Sequence, residues 1–168
     1  MGATRKGSAN LPSLGNTGRI NFACEMTDLY FFFPVPVPAL RNKTALKSFL
    51  VALAKREKHR IRSLQYIFCD DDRLLQINQD FLEHHDLTDI ITFTYSENPG
   101  LIEGEIYISV TRVRENARIF GTSFARELHR VIFHGLLHLC GYKDKLKADQ
   151  QLMRGKEDHY LDLYFKKR

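Results

Sequence analysis

The sequence has no tryptophan, three cysteines, five prolines and no long apolar run. A membrane-spanning helix needs about 18 or more consecutive apolar residues. The most apolar stretch, residues 29–40, is interrupted by Pro34, Pro36 and Pro38. Cys24, Cys69 and Cys140 are odd in number and far apart, which argues against a disulfide framework and fits a reducing compartment. Residues 1–25 carry no apolar segment between basic residues and a cleavage site, so they do not read as an export signal. Charge leans to one side without being extreme. Lys and Arg number 25 against 20 Asp and Glu, and the resulting +5 favours a polyanionic partner such as RNA without specifying one. A soluble, cytoplasmic protein is expected.

What is present is enough for one domain. The chain has 168 residues, 43% of them apolar, with 12 Phe and 7 Tyr to fill a core. Residues 1–25 are expected to be a disordered extension or a non-native N-terminus, and residues 26–168 the folded unit. Residues 27–33 (TDLYFFF) and 64–69 (LQYIFC) read as strands, and residues 39–58 between them as an amphipathic helix. Asp70, Asp71 and Asp72 signal the start of a second helix. Residues 89–95 and 105–109 read as neighbouring strands across a turn-rich SENPG. Helices follow at 111–120, at 122–140 and at about 147–165. The order βαβαββααα implies an α+β fold with one small sheet.

Chemistry concentrates in residues 133–145, FHGLLHLCGYKDK. Four residues turn a helix through about 400°, so His134 and His138 project from one side, one turn apart. Gly141 is suited to the left-handed conformation that ends a helix and folds the chain back, which makes Asp144 the natural third ligand. Two imidazoles and a carboxylate leave one position of a tetrahedral ion open, as catalytic zinc sites do. Nickel or another borderline metal fits the same donors. Cys140 is expected in the core. The spacing is that of the metzincin pattern H-E-x-x-H-x-x-G-x-x-H/D, but Gly135 replaces the glutamate that serves zinc peptidases as general base.

The segment HGLLHLCGYKD resembles the H-G-x-L-H-L-x-G-Y-D-H signature of the YbeY family, metal-dependent endoribonucleases of ribosomal RNA maturation. LLQINQDFLEHHDLTDIITF and GEIYIS are similar to two further motifs of that family. The resemblance implies a mixed four-stranded sheet flanked by about five helices and one zinc ion. It also implies hydrolysis of single-stranded RNA in the cytoplasm, with ribosomal RNA and the ribosome or a small-subunit precursor as partners.

Two positions depart from the family. Asp144 stands where its last ligand is usually His, and Leu82 where it has an arginine. His84, at the position of the family's lysine, is the first candidate for a replacement cation and His85 the second; otherwise both are surface histidines. Thr88 and Asp89 match the family's T-D pair, and Asp89 either orients substrate or ties a turn. Glu105 matches the acid of the family's G-D-I motif; it is either a proton acceptor for water on the metal or a strand-edge charge. Glu127, seven residues before His134, shares the histidine face and is a candidate acceptor for an imidazole N–H. Arg130, Arg112 and Arg114 are phosphate candidates. The attacking group is either water or the ribose 2′-hydroxyl. Two other readings stand beside the hydrolase: an RNA-binding assembly factor with a structural metal, favoured by Leu82, and a metzincin-like peptidase, disfavoured by Gly135.

Overall fold

The computed structural model describes residues 27–82 and 88–166. The expected N-terminal extension, His84 and His85 lie outside the described residues. In chain order the elements are β1 (Asp28–Phe32), α1 (Lys43–Arg56), β2 (Arg60–Cys69), α2 (Asp71–Leu82), β3 (Ile90–Thr94), β4 (Leu101–Ser109), α3 (Val110–Ile119), α4 (Phe124–Leu139) and α5 (Lys147–Lys166). The sheet has four strands in the order β1-β2-β4-β3. β1 and β2 are parallel, β2 and β4 are parallel, and β3 runs antiparallel to β4. This is the mixed sheet of an α+β domain, with the element order read from the sequence. No helix among the described residues is long and apolar enough to cross a membrane.

Boundaries moved for local reasons. α1 starts at Lys43, not at residue 39, because the side chain of Asn42 accepts a hydrogen bond from Ala45 N–H at 2.9 Å and caps the helix there. β4 begins at Leu101 rather than 105. Its alternation is continuous through the segment, with Ile102, Gly104, Ile106 and Ile108 buried and Glu103, Glu105 and Tyr107 on the other face. The carboxylate of Asp70 accepts from Arg73 N–H at 2.9 Å and so starts α2 where the aspartate run predicted.

Helix α4 is the element that carries the histidines, and it is almost wholly sunk into the core. Leu128, Ile132, Phe133 and Leu136 are fully buried, each contributing about 1.5–3 kcal/mol relative to exposure. From β2, the Tyr66 hydroxyl donates to the Ile132 carbonyl at 3.1 Å and ties the helix to the sheet. Two glycines set close approaches here, Gly135 that of the helix to the sheet and Gly104 that of β3 to β4. A Cβ on Gly135 would come within 2.8 Å of Ile90 Cδ1 on β3 and 3.0 Å of Ile106 Cγ2 on β4. A Cβ on Gly104 of β4 would be driven into the Phe93 carbonyl oxygen.

These two contacts differ in kind, since the ends of isoleucine side chains yield and a strand carbonyl does not. Gly135→Ala should therefore cost about 1–3 kcal/mol from overpacking, less up to about 1 kcal/mol regained from helix propensity. Gly104→Ala should cost more. Urea unfolding of the two variants checks this, and equal midpoints would contradict it.

Candidate metal centre

The end of α4 is built to return the chain toward the histidines. Gly141 has φ +93°, its N–H donates to the His138 carbonyl at 2.9 Å, and Tyr142 N–H donates to the Leu137 carbonyl at 3.1 Å. This double closure satisfies the last carbonyls and turns the chain back, so that Asp144 faces the ring pair. Asp144 Oδ2 lies 3.6 Å from His134 Nε2 and 3.4 Å from His138 Nε2, and the two Nε2 atoms are 2.8 Å apart. His134, His138 and Asp144 are the set of three that could hold an ion among the described residues.

The other nitrogen of each ring decides the chemistry. His134 Nδ1 lies 2.6 Å from Glu157 Oε1, and His138 Nδ1 lies 2.9 Å from the Tyr142 carbonyl oxygen. Burial opposes charge on Glu157, but the hydrogen bond from His134 and the positive charge of Arg130 outweigh it and hold the carboxyl below its ordinary value. A carboxylate and a carbonyl have no hydrogen to give, so each Nδ1 must carry the proton. In the neutral form of each ring the Nε2 lone pair then points at the other ring and at Asp144. That arrangement is repulsive without a cation between the three atoms. Donors around a tetrahedral zinc stand about 3.3 Å apart for bond lengths of 2.0–2.1 Å, close to the three separations here, so these residues fit a divalent ion.

Glu157 is the functional residue that the sequence reading missed. It is buried on α5 and is held by Arg130, whose Nη1 donates to Glu157 Oε2 at 3.1 Å while Nε and Nη2 grip Glu127 at 3.0 and 2.6 Å. Glu127 therefore does not accept from an imidazole; Arg130, one turn along α4, takes its carboxylate first. Every nitrogen of Arg130 already faces a carboxylate, with Asp89 3.9 Å from Nη2. The guanidinium so acts as counter-ion to Glu157 rather than as a free phosphate contact.

A second tether holds the turn. Glu57, just past α1, accepts from Tyr142 Oη at 2.7 Å, from Lys156 Nζ at 2.9 Å and from Tyr160 Oη. Tyr142 is thus fixed at its ring end by Glu57 while its carbonyl fixes His138. Cys140, half-buried and packed against the core, has its thiol pushed up to about 12 by burial and then by the charge of Glu57, and it is not in the donor set.

The remaining expected residues sit elsewhere. Glu105 projects on the sheet face opposite the buried Ile106 that meets Gly135, and it accepts from Tyr107 Oη at 2.8 Å. Strand parity thus removes it from the histidines, and it is not placed to take a proton there. Arg112 is occupied by Asp71 at 2.9 Å and Glu115 at 2.8 Å. Arg114 lies over the Phe124 ring at 4.6 Å. Thr88 donates to the Ile90 carbonyl at 3.1 Å, and Asp89 accepts from Asn116 Nδ2 at 3.2 Å, so both tie the entry to β3.

His134 and Asp144 open into a cleft of about 530 Å³ that is also lined by Arg130 and Glu157. A histidine pair on one helix face with a carboxylate returned by a glycine turn, open to a cleft, defines a candidate metallohydrolase. The profile described as Endoribonuclease YbeY matches residues 35–164. Endoribonuclease YbeY of Cytophaga hutchinsonii is 49% identical over 135 residues, covering 80% of this chain and 94% of that protein. Endoribonuclease YbeY of Flavobacterium psychrophilum is 49% identical over 125 residues, covering 74% and 89%. The solution structure of TM1509 from Thermotoga maritima aligns with a TM-score of 0.61 at 29% identity, covering 83% of this chain and 90% of that one. The chain belongs to the YbeY family of endoribonucleases.

Two outcomes are expected. Outer partners of ligating histidines typically contribute 10–100-fold in metal affinity, so Glu157→Ala should weaken zinc binding by that factor in a chelator competition, and unchanged affinity would contradict the role given to Glu157. For Glu57, burial raises the carboxyl, but the bonds from Tyr160, Lys156 and Tyr142 and the charge of Lys156 outweigh it, leaving the group below its ordinary value of 4.5. A depressed folded value means that its stabilisation is complete above pH 4.5 and is lost as pH falls through the lower folded value. The difference in unfolding free energy between wild type and Glu57→Gln should hold steady from about pH 8 to about pH 5.5 and narrow below pH 4.5. A difference independent of pH would contradict this.

Proposed function

We propose that this chain is a zinc-dependent endoribonuclease that cuts single-stranded RNA, acting on ribosomal RNA during ribosome maturation in the cytoplasm. The observation that carries the reading is the convergence of two Nε2 lone pairs and the Asp144 carboxylate at the wall of an open cleft. His134, His138 and Asp144 would hold the ion. When bound, a divalent cation there supplies Lewis acidity, lowering the pKa of a water toward ~7 and polarising a phosphoryl oxygen.

The chain's own contribution is orientation. Glu157, kept ionised by Arg130, holds the proton on His134 Nδ1, and the Tyr142 carbonyl holds the proton on His138 Nδ1, so that neither ring presents an N–H to the ion. The family supports RNA as the substrate, and the +5 charge is consistent with a polyanion. Unpaired RNA is favoured because its backbone can bend into a cleft and expose its bases. Gly135 supplies no general base beside His134, which counts against the peptidase reading, and a glutamate there would have to push aside the Ile90 and Ile106 side chains.

The test is cleavage of matched single-stranded and duplex RNA by zinc-loaded protein, its His138→Ala and Asp144→Ala variants, and chelated protein. Cleavage of the single strand should fall at least about 100-fold in both variants and on chelation, while binding persists within a few-fold. Full cleavage by chelated protein or by Asp144→Ala would overturn the reading.

A further inference from the structure

The cleft beside His134 continues along the seam between α4 and α5. The two helices run antiparallel: Arg130 meets Glu157, and Arg126, one turn earlier on α4, lies 3.6 Å from Asp162, further along α5. Asp144, Gln150, Arg154, Phe120, Thr122 and Arg126 are among its lining residues; with the helices antiparallel, Gln150 and Arg154 fall toward the histidine end of α4 and Arg126 toward the other. Arg126 and His134 are eight residues apart on one helix, a rise of about 12 Å.

Three guanidinium groups line this seam, and they are not equivalent. Arg130 is enclosed by Glu127 and Glu157. Arg126 reaches Asp162 and lies 5.9 Å from the centre of the Phe165 ring. Arg154 is exposed and has no hydrogen-bond, ion-pair or ring partner among the described residues. At the far end, Phe120, which follows the last turn of α3, leaves 60% of its surface exposed although it is a large apolar ring. An uncommitted cation beside a set of metal-type donors and a bare aromatic face further along one cleft match the two repeating parts of an unpaired nucleotide strand, its phosphate and its base.

We propose that this seam is an extended single-stranded RNA subsite: Arg154 binds the phosphate next to the donor set, Arg126 a phosphate further along, and Phe120 stacks on an unpaired base. The proposal rests on the reading of the chain as an RNA hydrolase and names how its substrate is held. Stacked nucleotides of one strand step by about 3.4 Å, so a strand must be several nucleotides long to reach from the donor set to Phe120. A base in a duplex has both faces covered and cannot stack on the ring. The seam therefore selects for length and for single strands.

The test uses zinc-loaded full-length protein with labelled diuridylate and hexauridylate. Binding is read by anisotropy within the first turnover, and cleavage of the same oligonucleotides is followed in parallel. Phe120→Ala should weaken the hexamer about fivefold or more and leave the dimer unchanged. Arg154→Ala should weaken both and lower the slope of log affinity against log salt by about 0.7, with Arg154→Lys restoring most of the slope. Both residues are exposed, so unchanged melting temperatures are expected of the variants. If the wild type cuts both oligonucleotides and the variants bind them as it does, the subsite is overturned while the hydrolase reading stands. If the variants weaken binding as stated but no oligonucleotide is cut, the subsite stands and the hydrolase reading falls. A polyaspartate peptide that binds as tightly as the hexamer, with Phe120→Ala neutral for RNA, would assign the seam to acidic peptides and overturn the proposal.

Discussion

Everything in the site depends on two imidazoles whose Nδ1 protons are held by oxygens that cannot donate in return. With Glu157 and the Tyr142 carbonyl accepting hydrogen bonds from Nδ1–H, the neutral form of each ring is left with its Nε2 lone pair as the donor. The two Nε2 atoms stand 2.8 Å apart, with a carboxylate alongside. An arrangement that repels itself is stable only if its surroundings fix it or a cation fills it. The surroundings do much of that work here. Glu127 and Glu157 enclose Arg130, Arg130 keeps Glu157 charged, and Glu157 orients His134. On the other side Glu57, Lys156 and Tyr160 anchor Tyr142, and Tyr142 orients His138. Ligand geometry is set by groups from α1, α4, the turn after it and α5.

The fold supplies the rigidity that such an arrangement needs. α4 is pressed onto β3 and β4 at Gly135 and sealed by Leu128, Ile132, Phe133 and Leu136, so the helix face that carries the histidines has little freedom to tilt. The buried carboxylates Glu127 and Glu157 would be costly alone, because an unpaired buried charge costs several kcal/mol. Each is satisfied by Arg130, and Glu157 by His134 as well. The same close packing leaves little room beyond a hydrogen at position 135, and the site obtains its order without a glutamate beside the first histidine.

How much of this was legible in the sequence follows from how local each feature is. His134, His138, Gly141 and Asp144 lie within one helix end and its turn, where helical rotation and a left-handed glycine determine what faces what. The order of strands and helices was readable from periodicity. The partner of His134 was not, because it comes from α5, 23 residues away in the chain. A signal existed: Met153, Glu157, Tyr160 and Tyr164 recur at helical spacing and all are buried, so Glu157 is a carboxylate on an otherwise apolar stripe. Helical rotation pointed instead to Glu127, but rotation alone does not register that Arg130, three residues on, competes for the same carboxylate. Of the two readings of Glu105, the strand-edge charge was legible from parity, since it alternates with Gly104, Ile106 and Ile108 and so belongs to the opposite face. Arg112, Arg114 and Arg130 are all engaged within the fold. Arg154, on α5, is exposed and has no partner among the described residues.

The most direct measurement is the protonation pattern of the two rings in metal-free protein, read from long-range proton–nitrogen correlations of the imidazoles at neutral pH. The account predicts that His134 and His138 both carry hydrogen on Nδ1, and that added zinc moves the Nε2 resonances of both rings while leaving Nδ1 protonated. A ring with its hydrogen on Nε2, or zinc-induced loss of the proton from Nδ1, would contradict it.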